Sequence, residues 1–286
     1  MRNLLKCLSL LFVMMLPLSI SYGEALDAAM QQMQTLAIPE IQRITEKGKI
    51  VVLMTNTDYN PFFRMKSSDG SYKGIDMEMA QAVADSLGVK LEVKAIYKSY
   101  DDVVNAIAKG EGDIGISKMS YTIERSKKVL FSSPYVIFKK SLLINRVQLS
   151  KIDSKNSLKE IMNSGTLPIV VAPGSYDDFS LALFPKSKPE EVEKWDSDGI
   201  KKLLEGKYFA AFRDELRIKL VLRKNPQATL HLLPVILKDE DDPIRMIVNK
   251  ECFGLWLWVN SYLSNNIKPY TYDELFARFG HLLKND

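Results

Sequence analysis

The stretch Gly112-Asp113-Ile114-Gly115-Ile116-Ser117-Lys118-Met119-Ser120-Tyr121-Thr122-Ile123-Glu124-Arg125 decides how this chain reads. Ile114-Gly115-Ile116 is a short apolar run that suits a buried strand, and Thr122 stands where a helix N-cap belongs. A strand therefore hands over to a helix, and an arginine arrives just beyond the strand end. Upstream, Val103, Val104 and Ile107 mark a helix that stops at Gly110, preceded by an alternating strand at Leu91, Val93, Ala95 and Tyr97. Earlier still, Asp76 to Leu87 carries apolar residues at the helical period and ends at Gly88, and Ile50 to Thr55 reads as a buried strand. Pro39 suits a helix first turn that Gly48 closes. Downstream the alternation restarts, with strands at Leu167–Ala172 and Tyr208–Phe212 and helices at Tyr176–Phe184, Ile200–Leu204 and Glu215–Leu222. Alternating strands and helices imply parallel sheet covered by helices, and the restart implies two α/β lobes.

No low-complexity linker separates the two runs, so the lobes are expected to share extended crossings at Leu142–Asn145 and Leu237–Asp242. The last helices, Phe253–Leu263 and Tyr272–Leu282, would return to the first lobe. The expected division is 39–141 plus 238–286 for the first lobe and 142–237 for the second, after a lead-in over 24–38.

Composition narrows the function classes. A net charge of +4 on 39 basic and 35 acidic residues, with the basic ones scattered, lacks the basic stripe of a nucleic-acid binder. Two His and two Cys leave little for a metal site or a disulfide framework, so no cofactor is expected. Residues 1–23 have the layout of a secretory signal peptide: Arg2 and Lys6, an apolar run from Leu8 to Leu18 broken by Ser9, then small and polar residues to Gly23. That run is about half of the roughly 20 residues needed to span a bilayer. Cleavage after Gly23 lowers the charge to +2 and removes Cys7, leaving Cys252 as a lone, packed thiol.

The ordered motifs resemble a family. Ile38-Pro39-Glu40-Ile41-Gln42-Arg43-Ile44 with Gly48-Lys49-Ile50-Val51-Val52, then Tyr59-Asn60-Pro61-Phe62 and Tyr72-Lys73-Gly74-Ile75-Asp76, are similar to the opening of the periplasmic amino-acid-binding proteins of ABC importers. The quoted stretch from Gly112 to Arg125, Val129-Leu130-Phe131-Ser132-Ser133-Pro134-Tyr135, Gly174-Ser175 and Asp214-Glu215 continue the resemblance in order to the C-terminus. It implies a periplasmic-binding-protein-like fold: two α/β lobes, a two-strand hinge and a ligand cleft between them. It also implies a monomer in the periplasm that hands a small amino acid or organic acid to a membrane permease, with neither catalysis nor nucleic-acid partner.

An amino acid is a zwitterion, so its receptor needs a fixed cation and a fixed anion. By resemblance Arg125 would fork onto the ligand carboxylate, with Thr122 capping the helix beside it, and Asp214 would hold the ammonium. Ser117 and Ser120 would add hydroxyl or backbone contacts, Gly174 and Ser175 would offer N–H groups from the second lobe, and Tyr59 and Tyr100 would sandwich the ligand side chain. Asn56 takes a position where binders of basic side chains carry Asp, which argues against lysine, arginine or ornithine. Lys118 replaces a small residue of the family pattern, and Arg213 and Tyr176 are further departures. A Lys118 that points into the cleft favours an anionic ligand; one that leans into water says nothing about the ligand. The competing readings are a cyclohexadienyl-dehydratase-like enzyme on the same fold, with Asp177 or Asp178 as its acid, and a ligand sensor without a transport role.

Overall fold

The computed structural model describes residues 38–63, 72–174 and 176–283. The expected signal peptide, the lead-in up to residue 37 and Ser175 lie outside them. In chain order the first elements are α1 (Pro39–Lys47), β1 (Lys49–Thr55), α2 (Ile75–Ser86), β2 (Lys90–Tyr97), α3 (Tyr100–Ala108), β3 (Ile114–Ser120), α4 (Ile123–Ser126) and β4 (Val129–Asn145). Then come α5 (Arg146–Leu149), α6 (Leu158–Met162), β5 (Pro168–Val171), α7 (Tyr176–Leu183), β6 (Lys188–Glu191), α8 (Ile200–Leu204), β7 (Ala210–Asp214) and α9 (Glu215–Lys224). The chain closes with β8 (Leu232–Asn249), α10 (Phe253–Asn266) and α11 (Tyr272–Phe279).

The strands form one continuous sheet in the order β2-β1-β3-β8-β4-β7-β5-β6. At one end β2, β1 and β3 run parallel, and at the other β7, β5 and β6 do; between them β4 and β8 pair antiparallel along their length. β8 meets β3 on the first side, through Ile114↔Val248 to Ser120↔Ile244, whereas β4 meets β7 on the second, through Lys140↔Asp214 to Ile144↔Ala210. The crossings are thus not the short extended segments that the sequence suggests. They are two long strands that each serve both lobes.

The β4–β8 register breaks where the lobes meet: Lys139 faces Asp241, but Ser141 faces Ile236. Residues 237–240 stand outside the ladder, an extra loop of backbone in one strand of a pair.

Period-two alternation on β1 explains how the first lobe packs on both faces. Ile50, Val52 and Met54 join a core with Ile75, Val83, Leu255 and Val259, while Leu53 points to the other face with Val103, Ile107 and Met119. Leu275 and Phe279 of α11 also belong to the first of these cores. A separate core lies under the second lobe, where Ile169, Val171, Phe209 and Phe212 pack with Leu203 and Trp195. Phe209 is fully buried there. β6 escapes detection in the sequence because Lys188-Pro189-Glu190-Glu191 is polar; it forms the sheet edge, where charge and proline are tolerated.

Candidate functional site

β3 extends to Ser120, four residues beyond its apolar run, and every residue of it is buried. Its register with β8 slips between Gly115 and Met119, so the strand bulges through Ile116, Ser117 and Lys118. Lys118 has φ 47°, the left-handed region, the one non-glycine residue with positive φ among the described residues. Its backbone N–H donates to Asp76 Oδ2 at 3.0 Å, and the Tyr135 hydroxyl donates to Asp76 Oδ1 at 2.6 Å. A bulge held this way re-aims a side chain. Here it turns Lys118 across the cleft.

The Lys118 ammonium lies 3.0 Å from Asp214 Oδ2, a pair that joins the first lobe to the second with side chains 4% and 0% exposed. The rings of Tyr59, Phe62 and Phe138 surround the ammonium with centroids at 5.2, 5.7 and 5.7 Å. Burial alone would lower this ammonium, but the Asp214 carboxylate holds it above the ordinary lysine value. Burial would likewise raise Asp214, yet Lys118 and Arg213 keep it well below the usual carboxylate range. The other oxygen, Oδ1, accepts from Arg217 N at 3.1 Å and caps α9. The Tyr176 hydroxyl sits 2.8 Å from Asp214 Oδ2 and 3.1 Å from Asp242 Oδ2. One hydroxyl hydrogen serves one of them at a time, and burial pushes the Asp242 carboxyl upward.

A cavity of about 350 Å³ opens in front of this cluster, within the usual size range of a small-molecule pocket. Thr55, Tyr59, Phe62, Ser117, Lys118 and Tyr100 line it from the first lobe, and Ala172, Pro173, Glu193 and Arg213 from the second. Arg213 stacks on Tyr176 and Trp195 at 4.9 and 5.4 Å. Its Nη2 reaches the Tyr59 hydroxyl only at 3.5 Å, and its buried Nε has no acceptor among the described residues. Asp76 also lines the cavity; burial lifts its carboxyl to about 7, partly opposed by the Tyr135 and Lys118 hydrogen bonds.

The expected site residues divide sharply. Tyr59, Tyr100, Ser117 and Lys118 line the cavity, with Asp214 directly behind Lys118. Ser117 is occupied structurally: its hydroxyl bonds Thr55 Oγ1 at 2.8 Å and accepts from Thr55 N. Asn56 does not line the cavity; Thr55 and Thr57 on either side of it do. Arg125 is buried but committed, with Nε donating to Asp101 at 2.9 Å and Nη1 to the Ser120 carbonyl at 3.3 Å. Its Nη2 faces the opposite lobe, 3.8 Å from where a Cβ at position 174 would stand. Thr122 caps as expected, accepting from Arg125 N at 3.2 Å, but α4 has only four residues. Gly174, at φ 119°, turns its N–H to Glu191 at 3.4 Å rather than into the cavity. The acid candidates Asp177 and Asp178 do not line the cavity either.

The sequence reading passed over Asp76, Tyr135 and Asp242. The first two sit inside motifs, where nothing marks them as buried and hydrogen-bonded to each other. Asp242 ends the run Lys238-Asp239-Glu240-Asp241-Asp242, which looks like a solvated face until the long β8 carries its last residue inside.

Comparison with known proteins agrees with this architecture. Residues 51–281 match the family described as bacterial extracellular solute-binding proteins, family 3. A cyclohexadienyl dehydratase of Pseudomonas aeruginosa is 28% identical over 191 residues, covering 65% of this chain and 67% of its own. A probable histidine-binding protein of Neisseria gonorrhoeae is 25% identical over 235 residues, 81% of this chain and 83% of its own. Among solved structures, an ancestral amino-acid-binding protein described as a precursor of cyclohexadienyl dehydratase superposes with TM-score 0.59 at 28% identity, covering 84% of this chain and 98% of that one. An arginine-bound substrate-binding protein from Streptococcus pneumoniae gives TM-score 0.59 at 26% identity, covering 85% and 98%.

Proposed function

Because the chain belongs to the bacterial extracellular solute-binding proteins of family 3, we propose that it is an extracytoplasmic receptor. It captures a small amino acid or related carboxylate between its two lobes and delivers it to the permease of an ABC importer. Residues 1–23 would direct its export to the periplasm, where it acts as a monomer with lobes at 39–141 plus 238–286 and 142–237. The observation that carries the reading is the cavity walled by both lobes, with a lysine and an arginine in its lining and aromatic rings beside them. A ligand that touches both lobes binds the closed arrangement better than the open one and so selects it. Titration calorimetry of ligand-stripped protein against a panel of amino and organic acids tests this. Saturable binding of at least one panel member is expected, and no binding by any of them overturns the reading.

A second reading rests on the likeness to a cyclohexadienyl dehydratase and on Asp76. Dehydration needs an acid in the cleft to protonate a leaving hydroxyl, and a carboxyl lifted to about 7 in the cavity wall keeps its proton near neutrality. Incubation of clean protein with prephenate or arogenate decides it: turnover supports the enzyme, and none dismisses it.

A further inference from the structure

We propose that the cleft takes a small carboxylate that bears no amino group, of the 2-oxo or 2-hydroxy acid kind, with Lys118 standing permanently where a ligand ammonium would have to sit. This rests on the receptor reading and narrows it.

A zwitterionic ligand needs a cleft carboxylate with oxygens to spare. Among the described residues the partnerless buried carboxylate oxygens, Asp242 Oδ1 and Asp177 Oδ1, belong to residues that do not line the cavity, and the inner cavity wall offers none. Both oxygens of Asp76 are taken, by Lys118 N–H and by the Tyr135 hydroxyl. Asp214 receives Lys118 and Tyr176 on one oxygen and the N-terminus of α9 on the other. Asp242 lies behind Tyr176 and does not line the cavity. Glu193 does line it, but from an exposed position at the rim, where water competes with any ion pair.

The cationic side is the reverse. Arg213 is nearly buried and lines the cavity; its Nε lies 3.9 Å from Asp214 Oδ2, beyond hydrogen-bond reach, and its Nη2 has only a long contact to Tyr59. A guanidinium whose hydrogen bonds are this incomplete presents a fork that fits a carboxylate. Lys118 lines the same wall, so an incoming anion meets two fixed cations, while an incoming ammonium must first displace Lys118 from Asp214. The rings of Tyr59, Phe62 and Tyr100 leave room for an apolar or flat tail.

The test is calorimetry of ligand-stripped protein with matched pairs: phenylpyruvate and phenylalanine, 4-methyl-2-oxopentanoate and leucine, 2-oxoglutarate and glutamate. Inorganic phosphate serves as the plain-anion control. At least one oxo acid is expected to bind about tenfold or more tighter than its amino partner, the effect of one charge-assisted contact. Lys118→Gly, which suits the left-handed backbone and uncovers Asp214, should shift that ratio toward the amino acid by about tenfold. Arg213→Gln should abolish oxo-acid binding. If Lys118→Gly fails to give a cooperative melting curve, the native ratios and Arg213→Gln decide alone. An amino acid that binds native protein more tightly than its oxo acid overturns the proposal and leaves the receptor reading intact. Phosphate binding equal to that of the oxo acids overturns the carboxylate assignment. Silence in every arm overturns the receptor reading as well.

Discussion

At the scale of single residues, Asp76 and Gly74 lend themselves to direct measurement. Burial lifts the Asp76 carboxyl from 3.8 to about 7. Between about pH 4 and about pH 7 the native state therefore holds a proton that the unfolded chain has released, so this residue makes stability fall as pH rises through that window and adds no slope above it. Urea unfolding at about pH 5 and about pH 8 should show a loss in the native protein that is smaller in Asp76→Asn. An equal loss in both would place the pH response elsewhere. Gly74 is held at φ 120°, and a Cβ there would come within 2.1 Å of the Phe62 carbonyl oxygen. Gly74→Ala should cost about 3 kcal/mol in chemical denaturation, since neither backbone can yield without moving the start of α2. Neither residue could be weighed from its letters alone. Gly74 is one letter of the Tyr72–Asp76 motif, and its clash partner comes from a loop that only the fold brings alongside.

Among the elements, β4 and β8 hold the molecule together, and their side chains differ widely in energetic weight. Phe138 on β4 is fully buried, 5.8 Å edge-on from Phe62, so Phe138→Ala should cost about 3–5 kcal/mol. The neighbouring Lys139–Asp241 pair is solvated, and Lys139→Ala should cost less than about 1 kcal/mol in the same denaturation series. A reversal of that order would mean that the surface pairs set the hinge stability. The displaced residues 237–240 lack ladder partners on β4, so their amides should exchange hydrogen faster than those of residues 244–248, which pair on both sides. The unbroken apolar run of β1 marked a strand buried on both faces, and periodicity made α2, α3 and α9 legible, because each buries one consistent face. It failed for β3 beyond Ile116 and for β8 from Lys238 to Asp242. Those stretches are mostly polar or charged, and distant partners pair only their ends, Met119 and Ser120 on β3 and Asp241 and Asp242 on β8. Leu237–Asp242 reads in sequence as an extended crossing, and nothing in its letters reveals the break in register that falls there.

Across the whole molecule, one buried ion pair spans the cleft. Asp214→Asn keeps an oxygen that can cap α9 but removes the charge that holds Lys118. Small-angle scattering of the ligand-free variant should give a larger radius of gyration than native protein. An unchanged radius would show that other contacts hold the lobes in place. The site was half legible for a physical reason. Tyr59, Tyr100, Ser117 and Lys118 follow motifs that place backbone at the cavity. What each charge does depends on which counter-charge the fold brings to it, as Asp101 meets Arg125 within the first lobe and Lys118 meets Asp214 across the cleft. The sheet order has a further consequence for how the protein is made. β8 lies between β3 and β4 in the first lobe but at the margin of β4 in the second, beside the run β4-β7-β5-β6. A ribosome that has reached residue 231 has thus supplied every inner strand of the second lobe, while the first still lacks its central strand and the two helices that cover it. The half begun first is the half finished last, so the amino-terminal lobe cannot complete its sheet until after the second lobe's inner strands exist.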